Sequence, residues 1–258
     1  MSDIIRENPK FFPFFKHAVG ALDGSHVPAV VPQAMQDLCR NRKGWVSQNV
    51  LGVCDFNMLF TYVLAGWEGQ AHDGRVLDDA CLRKGLRCPR GKYYLADAGY
   101  ALSWMTLTPY RGIRYHLKEW SRARDKPQNK EELFNLRHAS ARNVVERIYG
   151  VCQKRFPILT SMHAYPIETQ AKLVKCAFLM HNFIRRETIY EDYFYAEYDA
   201  EHEEQEQEQD PDEEEEQGPV YSERVSADAE ALSAWRDGIA QEMWDSYSVE
   251  CLTRGTYY

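Results

Sequence analysis

Residues 131–156 form one unbroken helical pattern. Leu133, Leu136, Val144, Val145, Ile148, Cys152 and Phe156 recur at steps of three and four. No proline interrupts until Pro157, where such a helix stops. A second stripe runs beside the apolar one. His138, Arg142 and Glu146 are four apart, so they stack on one face. The ordinary reading is a solvated Arg–Glu pair, worth only ~0.2–0.5 kcal/mol. The functional reading is a carboxylate held in place by a cation and an imidazole.

The partner of this helix is a sheet. Val46, Val50, Leu51, Val53, Phe56, Leu59, Phe60, Tyr62, Val63 and Leu64 fall within residues 45–66. Asp55-Phe56-Asn57 supplies a hairpin turn between two strands. Runs this apolar imply a sheet covered on both faces. Ala18–Val30 reads as strand, turn, strand, with Asp23-Gly24 as the turn. Residues 69–74 read as loop, and Val76, Leu77, Ala80 and Leu82 follow helical spacing. Lys92–Ala96 reads as a strand that delivers Asp97 into Gly99. Residues 166–187 form a second long helix, with His181-Asn182 near its end as a packed, capped pair. Four phenylalanines in residues 8–17 mark a segment that packs on something.

The net charge of −8 conceals two opposite halves. Residues 1–190 carry 28 Lys and Arg against 17 Asp and Glu, whereas residues 191–258 carry 3 against 22. A basic body suits a polyanion, because neutralised phosphates release counterions. Arg111, Arg114, Lys118, Arg122, Arg124 and Lys126 are interleaved with Tyr110, Tyr115 and Trp120. Aromatics among cations can stack bases and hold phosphates. Residues 197–217 are almost wholly acidic or amide side chains, the composition of a disordered linker. Residues 226–247 resume helical spacing with Ala231, Trp235, Ile239, Met243 and Tyr247.

Seven cysteines include no CxxC pair, and Cys81 and Cys88 are too far apart for a zinc knuckle. The expectation is a reducing, intracellular compartment with buried, inert thiols. No apolar run approaches the roughly 18 residues of a membrane span.

Three carboxylates share a context: Asp23 at the first strand, Asp97 after a later one, and Glu146 in the long helix. Were they to converge, two such charges ~4 Å apart would repel by about 4 kcal/mol at an effective dielectric near 20. A divalent cation resolves this, and oxygen ligands suit Mg²⁺. Two ions roughly 3.5–4 Å apart would clamp the attacking and leaving oxygens of a phosphodiester. Asp73 is a spare loop carboxylate that could join the site. His26, His72-Asp73 and Asp97 follow the order of an HD-type phosphohydrolase, but those ligands lie on helices, and here they fall at strand ends and in loops.

The stretches GALDGSHVPA, QNVLGVCDFNMLFTYVLAGWEGQAHDGRVL, YYLADAGY, TPYRGIRYHLKEW, FNLRHASARNVVERIYGVCQKRF and CAFLMHNFIRRE occur in this order over residues 18–187. Together they resemble the PIF/Harbinger-type DDE transposases and the nucleases derived from them. WRDGIAQEMWDSY is similar to the closing helix of many members. The resemblance implies an α/β, ribonuclease-H-like fold: a mixed sheet flanked by helices. It places an acidic triad on Asp23, Asp97 and Glu146. From their spacing, Arg142 and His138, one and two turns before Glu146, would orient that carboxylate or contact phosphate, and Lys118, Arg122 and Arg124 of the basic stretch would contact DNA. The resemblance also implies DNA cleavage or strand transfer that depends on Mg²⁺ or Mn²⁺, with two divalent ions. The expected partners are DNA, a Myb-like protein and a second copy of the chain, in the nucleus. The expected layout is an N-terminal stump (1–17), an endonuclease domain (18–190), an acidic disordered linker (191–225) and a C-terminal amphipathic helical segment (226–258). Family members carry a helical DNA-binding region ahead of the DGSH block, whereas 22 residues precede Asp23 here. The alternative function is therefore a catalytically inactive, domesticated or truncated protein that binds DNA or a protein partner.

Overall fold

The computed structural model describes residues 1–115, 126–187, 193–208 and 228–253. Among the described residues there are five strands: β1 (Ala18–Pro28), β2 (Ser47–Cys54), β3 (Phe60–Glu68), β4 (Tyr93–Leu95) and β5 (Thr106–Leu107). The helices are α1 (Asp3–Glu7), α2 (Gln33–Cys39), α3 (Asp73–Leu82), α4 (Lys130–Arg155), α5 (Ile167–Glu187), α6 (Tyr193–Glu208) and α7 (Asp228–Thr253). The sheet is mixed, in the order β3-β2-β1-β4-β5. β1 and β3 run antiparallel to β2, and β4 runs parallel to β5. The fold is a mixed α/β sheet flanked by helices, consistent with the ribonuclease-H-like expectation.

β1 corrects one expectation. It is a single strand of 11 residues with no turn at Asp23-Gly24. Asp23 pairs with Gly52 and Gly24 with Leu51 in an unbroken register from Ala21 to Pro28. Every residue of β2 is buried, so its ladder needs a full-length neighbour. That tertiary pairing outweighs the local turn preference of Asp-Gly. The hairpin after β2 does fall at Asp55-Phe56-Asn57. Asp55 Oδ1 accepts the N–H of Asn57 and of Leu59, and Met58 takes the left-handed conformation with φ 61°.

By compactness the chain divides into two units. The first comprises Met1–Val19, Cys88–Asn143 and Gln217–Tyr258; the second comprises Gly20–Arg87 and Val144–Glu216. β1 and α4 each contribute to both.

In the first unit the N-terminal aromatics are core. Phe15 is fully buried, edge-on to Phe134 of α4, and the Arg137 guanidinium lies over Phe14. α7 seats Trp235 against Tyr93, and Arg236 sits 4.0 Å over the Tyr110 ring. Asn135, fully buried, accepts the Tyr110 N–H and donates to the Tyr110 carbonyl.

In the second unit α5 packs on the hairpin. Phe60 stacks on Phe178 at 4.3 Å. Asn182 bridges the backbone of Phe60, accepting its N–H at 2.8 Å and donating to its carbonyl at 2.7 Å. His181 is fully buried and reaches the Met58 carbonyl, so the His-Asn pair is packed as expected. α6 lies where the sequence reading begins its acidic linker. Tyr195 is buried there and its hydroxyl meets His181, so aromatic packing gives residues 193–208 a helix. Residues 209–225 of that linker lie outside the described residues. The cysteines are free but not uniformly buried: Cys39, Cys54 and Cys152 are, whereas Cys176 is exposed.

Candidate active site

In the second unit the site is built where α4 meets β1. Gly52 stands opposite Asp23 in the ladder, and a Cβ on Gly52 would fall on the Tyr149 hydroxyl. Glycine leaves room for Tyr149 to reach the main-chain oxygens of Asp23, at 3.1 Å, and Val50, at 3.0 Å. Burial, then the Asp23 charge, push the Tyr149 phenol well above its ordinary range, so it stays a protonated donor. One helical turn earlier is Glu146, exposed to solvent. Asp23 and Glu146 line one open cleft of about 560 Å³, together with Ser25, Tyr149, Gln153, Lys154 and Tyr198.

Asp73, the first residue of α3, comes up against the same strand. A Cβ on Gly24 would fall on its carboxylate. Successive strand residues point to opposite faces, so Asp73 meets β1 on the face away from the Asp23 side chain. Asn49 fixes it there, donating to Asp73 Oδ1 at 2.7 Å and to the Ala71 carbonyl at 3.0 Å. His26, on the Gly24 side of the strand, is pushed below its ordinary value by burial, with the Asp73 charge opposing.

In the first unit Asp97 follows β4 directly. The ladder ends at Ala96, whose N–H bonds the Leu107 carbonyl. Asp97 Oδ1 then accepts the Gly99 N–H at 2.9 Å, closing the turn on itself. Arg111 clamps that turn by donating to the carbonyls of Ala98 and Tyr100. Sequence reasoning placed Arg111 only in a general basic stretch. Its signal, a cation soon after the strand, is too common to single out.

The stripe on α4 begins in this unit. His138 is fully buried, so it meets no phosphate directly. Its Nε2 contacts the Leu107 carbonyl at 2.9 Å and its Nδ1 the Tyr115 hydroxyl at 3.2 Å. Arg142 Nε donates to that same hydroxyl at 2.8 Å. One assignment satisfies the chain: Nε2–H donates to Leu107, Tyr115 donates to Nδ1, and Arg142 donates to Tyr115. It requires a neutral imidazole. Burial supplies one, pushing His138 down to about 3. His138 is thus a support for the Arg142 guanidinium. Lys118, Arg122 and Arg124 lie outside the described residues.

Carboxylate oxygens are the donors that Mg²⁺ and Mn²⁺ take, and Asp23 and Glu146 bring two to one cleft. Among the described residues, no three His, Cys, Asp or Glu side chains are gathered as a ligand group. The donor chemistry fits a hard divalent cation, and the described arrangement supplies part of a ligand shell.

The family described as DDE superfamily endonuclease matches residues 22–182, a span that contains Asp23, Asp97 and Glu146. The protein named "Putative nuclease HARBI1" is 27% identical in Rattus norvegicus and 25% in Homo sapiens, each over 169 residues covering 64% of this chain and 45% of the relative. Protein ALP1-like of Arabidopsis thaliana is 27% identical over 191 residues, covering 64% of this chain and 42% of its own length. The chain thus spans less than half the length of these relatives. No solved structure matches. The family match covers more than half of the chain, in the region that carries the motifs and the cleft: this chain belongs to the DDE superfamily endonucleases.

Proposed function

We propose that the chain is the core of a DNA endonuclease or transposase, cleaving phosphodiester bonds with divalent ions held by Asp23, Asp97 and Glu146. The observation that carries this reading is the shared cleft: Asp23 from β1 and Glu146 from α4 line the same open space. Mg²⁺ or Mn²⁺, bound as two ions, would supply Lewis acidity at the scissile phosphate and a more acidic bound water.

The rest is the work of the chain's own side chains. Tyr149 fixes α4 to the backbone of Asp23, holding Glu146 at the level of that carboxylate. The Leu107–His138–Tyr115 relay fixes Arg142, itself buried, on the helix that carries Glu146. Lys154, on the cleft wall, adds positive charge along the path of a nucleic-acid backbone. The family resemblance extends the proposal to a nuclear location, a Myb-like partner and a homodimer. No helix among the described residues is long and apolar enough to cross a membrane.

Supercoiled-plasmid nicking by the purified chain tests the reading, run with Mg²⁺, with Mn²⁺ and with EDTA beside Glu146→Gln. Metal-dependent nicking that is absent in the variant is expected. A folded chain that binds DNA in a salt-sensitive way but never nicks it would assign the non-catalytic, DNA-binding role instead.

A further inference from the structure

We propose that α6 is an autoinhibitory strap: it walls one side of the Asp23–Glu146 cleft, engages cations of the helix that carries Glu146, and lifts when DNA enters. This rests on the nuclease-core reading above and adds a control element to it.

Three observations within the second unit converge. First, Tyr198 of α6 lines the cleft together with Asp23 and Glu146. Second, α6 crosses α4 at close range one turn beyond Glu146, since a Cβ on Gly150 would fall inside the Tyr198 ring. Third, α6 is matched to the cations of α4 and α5. Asp199 accepts from two of the three Arg147 guanidinium nitrogens, from Nε at 2.9 Å and from one terminal nitrogen. Lys154 lies 5.9 Å from the Tyr198 ring, Arg155 5.2 Å from Phe194, and Arg185 4.9 Å from Tyr195.

Lys154 lines the cleft and Arg147 directly follows Glu146 on the same helix, where a phosphate backbone would need positive charge. α6 meets them with π faces and anionic oxygens, as nucleic acid does with its bases and phosphates. The grip of α6 on the cleft is also releasable. Arg147 and Asp199 are 28% and 44% exposed, and solvent screens a pair of that kind. The buried Tyr195, bonded to His181, is the anchor about which the rest can move.

The test uses the full chain and a fluorescent duplex of arbitrary sequence, titrated by anisotropy in EDTA so that cleavage plays no part. Asp199→Ala and Tyr198→Ala are each expected to tighten the Kd roughly fivefold or more, the lower end of ordinary coupling between two sites. Tyr198→Ala leaves net charge unchanged, so a gain there is not generic electrostatics. A second measurement needs no variant: hydrogen–deuterium exchange of the wild-type chain with and without duplex. Linkage is reciprocal, so α6 amides should exchange faster in the complex while those of β2 and β3 do not change. Unchanged or weaker binding by both variants, or α6 equally or better protected in the complex, overturns the strap and leaves the nuclease reading standing. If neither wild type nor variant binds duplex, both readings fall.

Discussion

Tyr149 donates its phenol to the main-chain oxygen of Asp23 at 3.1 Å, through the gap left by Gly52. The bond ties the backbone of one candidate catalytic carboxylate to the helix that carries another. Tyr149→Phe keeps the ring contact with Phe60 but removes the donor. We expect a loss of about 1 kcal/mol in urea denaturation, the usual net value of one such bond. Nicking should fall by more than stability alone explains, because helix and strand lose their fixed register. A variant with wild-type nicking would make Tyr149 a packing residue only.

Asp97→Asn and Glu146→Gln should each reduce metal-dependent nicking to the EDTA background. Neither should destabilise the fold. The amide introduced by Asp97→Asn still offers an oxygen to the Gly99 N–H, and Glu146 is exposed. Thermal melts beside the nicking assay separate the two effects. Retained cleavage by either variant removes that residue from the triad.

Gly24 has no room for a side chain, because Asp73 fills the space. Gly24→Ala should cost ~1–3 kcal/mol, as overpacking does. Asp73→Gly in the same chain should return much of it, a positive coupling on the order of 0.5–3 kcal/mol in a double-mutant cycle. Additive costs would mean that the Asp73 side chain swings away freely.

His138 gives the fold a directional response to acid. Its folded value of about 3 lies below the ordinary 6.5, so between those pH values the unfolded chain binds the extra proton. The stability contributed by the neutral ring is complete above pH ~6.5 and is lost as pH falls toward ~3. Its full extent is on the order of a few kcal/mol. His138→Gln should be the less stable chain at pH 7, and its deficit should shrink in urea titrations at pH 5 and pH 4. A constant deficit would mean that His138 takes up its proton without opening the fold.

Periodicity made the long elements legible. α4 and α5 bury apolar stripes whose spacing is visible in the letters, and a turn joins β2, a wholly buried run, to β3, an edge strand that buries only Phe60 and Leu64 and so departs from the expectation of a sheet covered on both faces. The position of Asp97 is readable because the apolar run of β4 is followed at once by Ala-Asp-Ala-Gly. Non-local pairing was not. Nothing in Asp23-Gly24 announces that Gly52 and Leu51 will hold it straight. α2 was missed because Gln33–Cys39 is a short segment with one buried residue, Cys39. The helical half of the acidic segment was missed because charge dominates its composition, whereas three aromatics, Phe194, Tyr195 and Tyr198, decide its structure. The relay through Tyr115 joins residues 23 apart in sequence, a separation that carries no periodic signal.

An unbroken β1 also makes the site a matter of parity. Asp23 and Ser25 share one face of the strand, and Gly24 and His26 share the other. Inserting or deleting one residue between Ala18 and Asp23 would exchange odd for even. The carboxylate would then project toward Asp73 and Asn49, and a glycine would face the helix of Glu146. Substitutions along this strand can be graded, from mild to severe. A change in its length has only two outcomes, and only even steps keep Asp23 on the side where Glu146 waits.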